Sequence, residues 1–408
     1  MCSWLKDIGT LPAFQPSMCA VDDSLGLQWA SAGQTEASWP ARCDHAMVVL
    51  PKEQHVLLMG GVARGRWALQ DVWHSADAGV TWHCSIAAAP WSARSGHAAI
   101  TWNGQVLLLG GVGRRGLCGD VWKCADGIGT EWTEVSSSGP WPPRYGHSLV
   151  LLDSGEEALI LLAGVGLGRF LNDVWRSDDH GETWSLVTSA PFAPRAAAAT
   201  VATGGLILLA GGRGEDGCLD DLWMSPDAGL TWSELFVNGR LRPPALSGAS
   251  LHCVDGQLIL MGGFDGETHH NTLWQGLLKE SSVSWTRHTA PWTPRYCHCV
   301  AQMGPLMLLT GGHGAEGDCR DTWTSPSLQF FCSAAVELSV LSRAITKRFG
   351  LSLELWETGI LPHLLPSIAL RLQRSGRSKK DSYRVASLDT PVCVWSDTKP
   401  IQIHHRHG

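Results

Sequence analysis

The chain of 408 residues has only 3 tyrosines beside 21 tryptophans, and charged side chains make up just 17% of it. No segment reaches the ~20 apolar residues that span a bilayer, so no membrane partner is expected. The opening MCSWLKDIGTLPAFQPSMCA has no apolar core behind a basic start and does not read as a secretory leader. The 13 cysteines are an odd number without zinc-type spacing, and only Cys297 and Cys299 in YCHC lie close together. They read as small buried hydrophobes of a reducing, cytoplasmic compartment, with no disulfide framework, metal or other cofactor expected. Phosphate-binding glycine loops, hydrolase serine elbows and paired-cysteine motifs are missing, which removes the commonest enzyme signatures. Positive charge is also scarce in the body: residues 1–332 carry 20 basic and 32 acidic side chains, a net −12, which argues against nucleic acid as a partner. Residues 333–408 carry 11 basic and 6 acidic side chains, a net +5, so the tail differs in kind from what precedes it.

Glycine, by contrast, is plentiful and regularly placed. Six apolar runs, VLLMGG, VLLLGG, LILLAG, ILLAGG, LILMGG and MLLTGG, end at Gly61, Gly111, Gly164, Gly212, Gly263 and Gly312. The spacings between these glycines are 50, 53, 48, 51 and 49 residues. About ten residues after most of them stands an acidic residue, an aliphatic residue and Trp. Each copy reads as four strands: an inner one after Pro-Arg, a second ending at glycine, a third at Asp-x-Trp and a fourth after Thr-Trp. Asn103-Gly104 and Asp255-Gly256 fall between first and second strands, where tight hairpin turns belong. A unit of about fifty residues built from four strands cannot bury both its faces alone, so the copies must pack on one another.

Over residues 24–331 this pattern resembles the kelch-repeat family of β-propellers. The resemblance implies an all-β, six-bladed kelch-type propeller. A lead segment (1–23) precedes it, and a non-repeat C-terminal extension (332–408), partly helical and partly disordered, follows it. The sixth copy lacks a Thr-Trp strand of its own, and SLGLQW (24–29) reads as an orphan fourth strand. Trp29 is therefore expected beside the strand around Trp323, closing the ring. SADAGVTW, SDDHGETW and SPDAGLTW fit Ser-x-Asp-x-Gly-x-Thr-Trp, similar to the Asp-box hairpin of sialidase-type propellers, where the motif is a structural turn. In the tail, Val336, Leu338, Leu341, Ile345 and Phe349 have helical spacing, while 373–384 is basic and polar.

Comparing the copies with each other gives two further expectations. Arg42, Arg94, Arg144, Arg195 and Arg295 open the inner strand, and Asp71, Asp120, Asp173, Asp221 and Asp321 open the third strand of the same five copies. The fifth copy has Leu246 and Thr272 there, so both charges vanish together, as expected of ion pairs with a structural role. His45, His97, His147 and His298 recur on the inner strand, with Ala198 and Ala249 in the other two copies, which points to packing.

Function should lie in what varies, the loops between second and third strands. Arg64, Arg66, Trp67, Arg114, Arg115, Arg169, Phe170 and Arg213 concentrate guanidinium groups beside aromatics there, a set suited to acidic peptide segments. The segments before the inner strands, with Trp39, Trp91, Trp141, Phe192 and Trp292, belong to the same face. The family includes adaptors, scaffolds and a copper oxidase, and the reading is a non-enzymatic protein-interaction module or scaffold. The alternatives are a carbohydrate-binding or glycan-processing propeller, from the Asp-box turns, and a kelch-type copper oxidase, for which Tyr145 and Tyr296 are the propeller's tyrosines.

Overall fold

The second strand of every repeat is its most apolar segment, and in the computed structural model of the chain it is buried on both faces. Residues 29–32, 37–50, 55–65, 68–152, 157–254, 256–279, 281–303 and 306–326 are described, together with the strands Cys393–Ser396 and Lys399–Gln402. The chain divides into two units, Pro16–Phe331 and a second formed by Met1–Gln15 with Cys332–Gly408. In the second unit the two short strands pair as an antiparallel hairpin. The lead segment, the helix expected over 333–349 and the basic run 373–384 lie outside the described residues.

The repeat unit is all-β among the described residues and β-propeller-like, built of antiparallel sheets in sequence order. In the first sheet Ala46–Leu50, His55–Met59, Val72–Ser75 and His83–Ile86 pair in succession. The second (Ala98–Trp102 to Trp132–Ser136), third (Ser148–Leu152 to Ser185–Ser189) and fourth (Ala199–Thr203 to Ser233–Glu234) repeat this order. The fifth runs from Ser250–Val254 to Ser282–Thr289 and gains a parallel edge strand, Phe236–Asn238. Nothing in the repeat pattern signals that strand, because it comes from the long connection between the fourth and fifth copies. In the sixth sheet Cys299–Met303, Leu306–Thr310 and Thr322–Pro326 are joined by Ala30–Ser31, with Ala30 opposite Thr324 and Ser31 opposite Trp323. Of the SLGLQW segment only Trp29 is described. It is buried and meets Trp292 edge to face at 6.4 Å, the geometry in which Trp39 meets Trp82 and Trp141 meets Trp184.

Five arginines without any exposed surface fix the start of the inner strands. Arg42 Nη2 lies 2.7 Å from Asp71 Oδ2, and Arg94–Asp120, Arg144–Asp173, Arg195–Asp221 and Arg295–Asp321 lie 2.5–2.7 Å apart. Each guanidinium also donates to a carbonyl at the end of the second strand, Gly60, Gly110, Ala163, Gly211 or Gly311. The same aspartates accept the indole N–H of Trp73, Trp122, Trp175, Trp223 and Trp323, which explains why the motif is Asp-x-Trp. At Asp120, Asp173, Asp221 and Asp321 burial pushes the carboxyl up, but these donors outweigh it and hold the group below the ordinary carboxylate range. Leu246 and Thr272 fill the two positions in the fifth sheet, both buried.

The turn between third and fourth strands is closed by its own aspartate. Asp77 accepts from the Thr81 amide at 2.8 Å and hydroxyl at 2.6 Å, and Asp179 and Asp227 do the same with Thr183 and Thr231. A fourth turn of this kind, unread in the sequence, centres on Asp126, which accepts from Thr130. An extra residue before Gly129 and a cysteine, Cys124, in the serine position hid it. Each turn docks on the neighbouring sheet: a Cβ at Gly129 would come within 2.7 Å of Val72, and one at Gly229 within 2.8 Å of Val174.

The first glycine of each doublet has a similar role between inner strands. Gly110 sits at φ +60°, and a Cβ there would lie 2.8 Å from Cε1 of His147 in the next sheet. In the third repeat Ala163 takes this place at φ +62°, and the residue facing it in the series is Ala198 rather than His. Losing the imidazole makes room for the methyl group.

Two outcomes are expected from this packing. Asp173→Ala strands a buried guanidinium and should lower unfolding free energy by about 3–5 kcal/mol, whereas Arg144→Leu with Asp173→Thr, copying the fifth repeat, should cost far less. Equal losses in denaturant titrations would refute the pairing role. Gly110→Ala should destabilise by about 1–3 kcal/mol, with part of the loss recovered on adding His147→Ala. An additive double mutant would show that the two positions do not meet.

Candidate functional site

The connections between second and third strands fold back as small hairpins, among them Val112–Gly113 with Gly116–Leu117 and Arg213–Gly214 with Gly217–Cys218. Their first strands bridge to the segment just before the inner strand of the same repeat, at Cys43–Val62, Ser95–Val112, Tyr145–Val165, Ala196–Arg213, Ser247–Phe264 and Tyr296–His313. Loops and inner-strand starts therefore share one face in every repeat.

On that face Arg64, Arg114, Arg115, Arg169 and Arg213 are exposed and form no ion pair with any other described residue, while Phe170 is half-buried. Arg66 and Trp67 lie outside the described residues. The contrast with the five buried, doubly hydrogen-bonded arginines separates two uses of one residue type: Arg after Pro or Ala builds the sheet, and Arg at a hairpin tip faces water. The same loops in the later repeats are acidic, with Glu215, Asp216, Glu267 and Glu316 exposed. The face is thus divided by sign, basic over the first three repeats and acidic over the last three, with Arg213 and Glu215 both present in the fourth. This division is readable from the loop sequences once all six are compared.

The aromatic residues before the inner strands do not belong to the exposed face. Trp39, Trp91, Trp141, Phe192 and Trp292 are at most 1% exposed. Each packs edge to face on an indole of a fourth strand, Trp82, Trp132, Trp184, Trp232 or Trp29. Arg42, Arg94 and Arg195 lie over the rings of Trp39, Trp91 and Phe192 at 5.2–6.0 Å. Burying an indole on two sides gains more than leaving it at a rim, so these residues are core rather than partner contacts.

Between the inner strands lies a cavity of about 140 Å³, lined by Asp44, His45, Gly96, His97, Gly146, His147, Ala197, Ala198, Gly248, Ala249, Cys297 and His298. Burial, helped by the adjacent arginines, pushes His97, His147 and His298 down to about 3, and His45 likewise falls well below the ordinary range. His45 Nε2 lies 2.9 Å from Thr310 Oγ1 and His298 Nε2 3.1 Å from Ser250 Oγ. These imidazoles stay neutral in the fold but take up a proton near pH 6.5 once unfolded. Stability from this source is therefore whole above pH ~6.5 and declines as pH falls toward 3. Urea midpoints should drop steadily between pH 7 and 4, less steeply in His97→Ala with His147→Ala; identical slopes would rule the histidines out as the cause.

Among the described residues no helix is long and apolar enough to cross a membrane. No curated protein matches the chain. Residues 17–190 match the family described as the KLHDC2/KLHL20/DRC7 Kelch-repeats domain, a domain that is generally a protein-interaction module. Residues 17–190 thus show a kelch-repeat domain, and the Asp-x-Trp strands and paired arginines of that stretch recur through Trp323, which supports a kelch-repeat family for the chain.

Proposed function

We propose that the chain is a closed six-bladed kelch propeller, with Ala30–Ser31 completing the last blade, and that it acts as a non-enzymatic interaction module. Closure is supported by six backbone bonds between successive inner-strand starts. Gly96 donates to Asp44, Gly146 to Gly96, Ala197 to Gly146, Gly248 to Ala197, Cys297 to Gly248 and Asp44 to Cys297, at 2.8–3.1 Å. The nine free cysteines among the described residues suit the reducing, cytoplasmic setting in which we place it.

The docking surface of this reading is the basic half of the loop face, Arg64, Arg66, Trp67, Arg114, Arg115, Arg169, Phe170 and Arg213. Its partner is a protein segment rich in Asp and Glu. The observation that carries the reading is the set of exposed guanidinium groups, without an ion-pair partner among the described residues, on neighbouring hairpin tips of a body with net charge −12. The turn aspartates are engaged by their own threonines, which favours this reading over a glycan-processing one.

An array of acidic and neutral peptides separates the possibilities. The intact chain should retain acidic peptides, more weakly at high salt. A variant with Arg64, Arg114, Arg115, Arg169 and Arg213 changed to Glu, with unaltered thermal unfolding, should bind them at least tenfold less. Undiminished binding by the variant, or no preference for acidic peptides, would overturn the reading.

A further inference from the structure

At each junction between repeats three side-chain positions converge: the residue after the inner-strand arginine, and the cross-strand pair that opens and closes the preceding hairpin. At the first three junctions these positions hold apolar or hydroxyl side chains. Ser95 follows Val62 and Ala68, Tyr145 follows Val112 and Leu117, and Ala196 follows Val165 and Phe170. At the fourth Ser247 follows Arg213 and Cys218, and at the fifth Tyr296 follows Phe264 and His269. Between the sixth and first repeats all three are metal donors: Cys43, with His313 and Asp318 as cross-strand partners.

The backbone holds these three together. Arg42 donates its amide to the Cys319 carbonyl at 3.0 Å and accepts from Gly312 at 2.9 Å, which sets Cys43 against the hairpin carrying His313 and Asp318. One donor atom from each of the three lies within 4.8 Å of the others. His313 Nδ1 is 2.7 Å from Asp318 Oδ1, Asp318 has a 9% exposed side chain, and His313, at 40%, opens to solvent. The rings of Tyr296 and His269, at 5.6 and 6.0 Å, flank the imidazole and fix its plane.

A second, independent feature marks the same corner. The residue preceding each inner-strand histidine position is left-handed in all six repeats, and it is glycine in three of them, Gly96, Gly146 and Gly248. Asp44 and Cys297 adopt the same conformation, both at φ 51°, despite the steric cost to a side chain. They bring a carboxylate and a thiol, hydrogen-bonded to each other, to the edge of this junction.

We propose that Cys43, His313 and Asp318 form a binding site for a borderline-soft divalent metal ion of the Zn²⁺ class, joining the first and last repeats. Thiolate with imidazole and carboxylate is a donor set for Zn²⁺ and excludes the all-oxygen preference of Mg²⁺ and Ca²⁺. On binding, Cys43 loses its thiol proton to solvent and a metal–sulfur bond forms. The ion enters between His313 Nδ1 and Asp318 Oδ1, with the neutral imidazole carrying its proton on the solvent-facing Nε2, and the fourth position is left to water or to a partner's donor. Such a clip would tie the junction at which Ala30–Ser31 joins the last sheet.

The test uses the full chain, freed of metal and titrated with ZnCl₂ and CoCl₂. One equivalent should bind, the cobalt form should show thiolate-to-metal charge transfer, and zinc should raise the unfolding temperature. Cys43→Ser should abolish the charge-transfer band, and His313→Ala and Asp318→Asn should each weaken zinc binding by roughly 10–100-fold or more. A variant with His404, His405 and His407 changed to Ala removes the other histidine cluster and should bind as the parent does. Absence of stoichiometric binding, a cobalt spectrum without a sulfur band, or unchanged affinity in His313→Ala overturns the site. Because His313 is solvent-facing, that variant decides the question even where Cys43→Ser fails to fold.

Discussion

Five of the six repeats depend on a guanidinium group with nowhere to go but its partners. A buried charge is tolerated only when it is paired and hydrogen-bonded, and the five arginines, each with four or five side-chain hydrogen bonds, meet that condition with the same three elements each time. The carboxylate belongs to the start of the third strand, the carbonyl to the end of the second, and the arginine to the start of the inner strand. One side chain thereby locks three strand ends at one face, and the indole of Asp-x-Trp completes the carboxylate's bonds. The fifth repeat shows the alternative solution, with both charges removed and Leu246 and Thr272 buried instead, so the register does not require a charge.

Strand ends fixed in this way free the loops beyond them. The hairpins between second and third strands contribute little to the core, and their tips carry the side chains that differ most between repeats. This explains how one face holds arginines over its first repeats and acidic residues over its last, while the framework beneath repeats. The same face leads to the central cavity and to the junction of the sixth and first repeats, where all three converging positions hold donor residues, Cys43, His313 and Asp318.

The interior also works by exchange between neighbours. Where an imidazole fills the gap beside the glycine doublet, the glycine must lack a Cβ, and where Ala198 stands in for histidine, Ala163 is admitted at the doublet. Aromatic pairs follow the same rule: every indole or phenyl before an inner strand finds an indole on a fourth strand, and Trp29 fills that role for the sixth repeat.

The strands, the arginine and aspartate positions and three of the four aspartate turns could be read from the amino-acid sequence, because period-2 burial and turn chemistry act over a few residues and recur six times. The same comparison located the exposed loop arginines. The burial of Trp39, Trp91, Trp141, Phe192 and Trp292 was not legible, since an aromatic ring ahead of a strand serves equally at a rim or in a core until its distant partner, Trp82, Trp132, Trp184, Trp232 or Trp29, is placed. The parallel strand Phe236–Asn238 and the shifted turn at Asp126 depart from the repeat and so gave no periodic signal. The meeting of Cys43 with His313 and Asp318 spans some 270 residues of chain, and only the packing of the last repeat against the first brings those donors within reach of one ion.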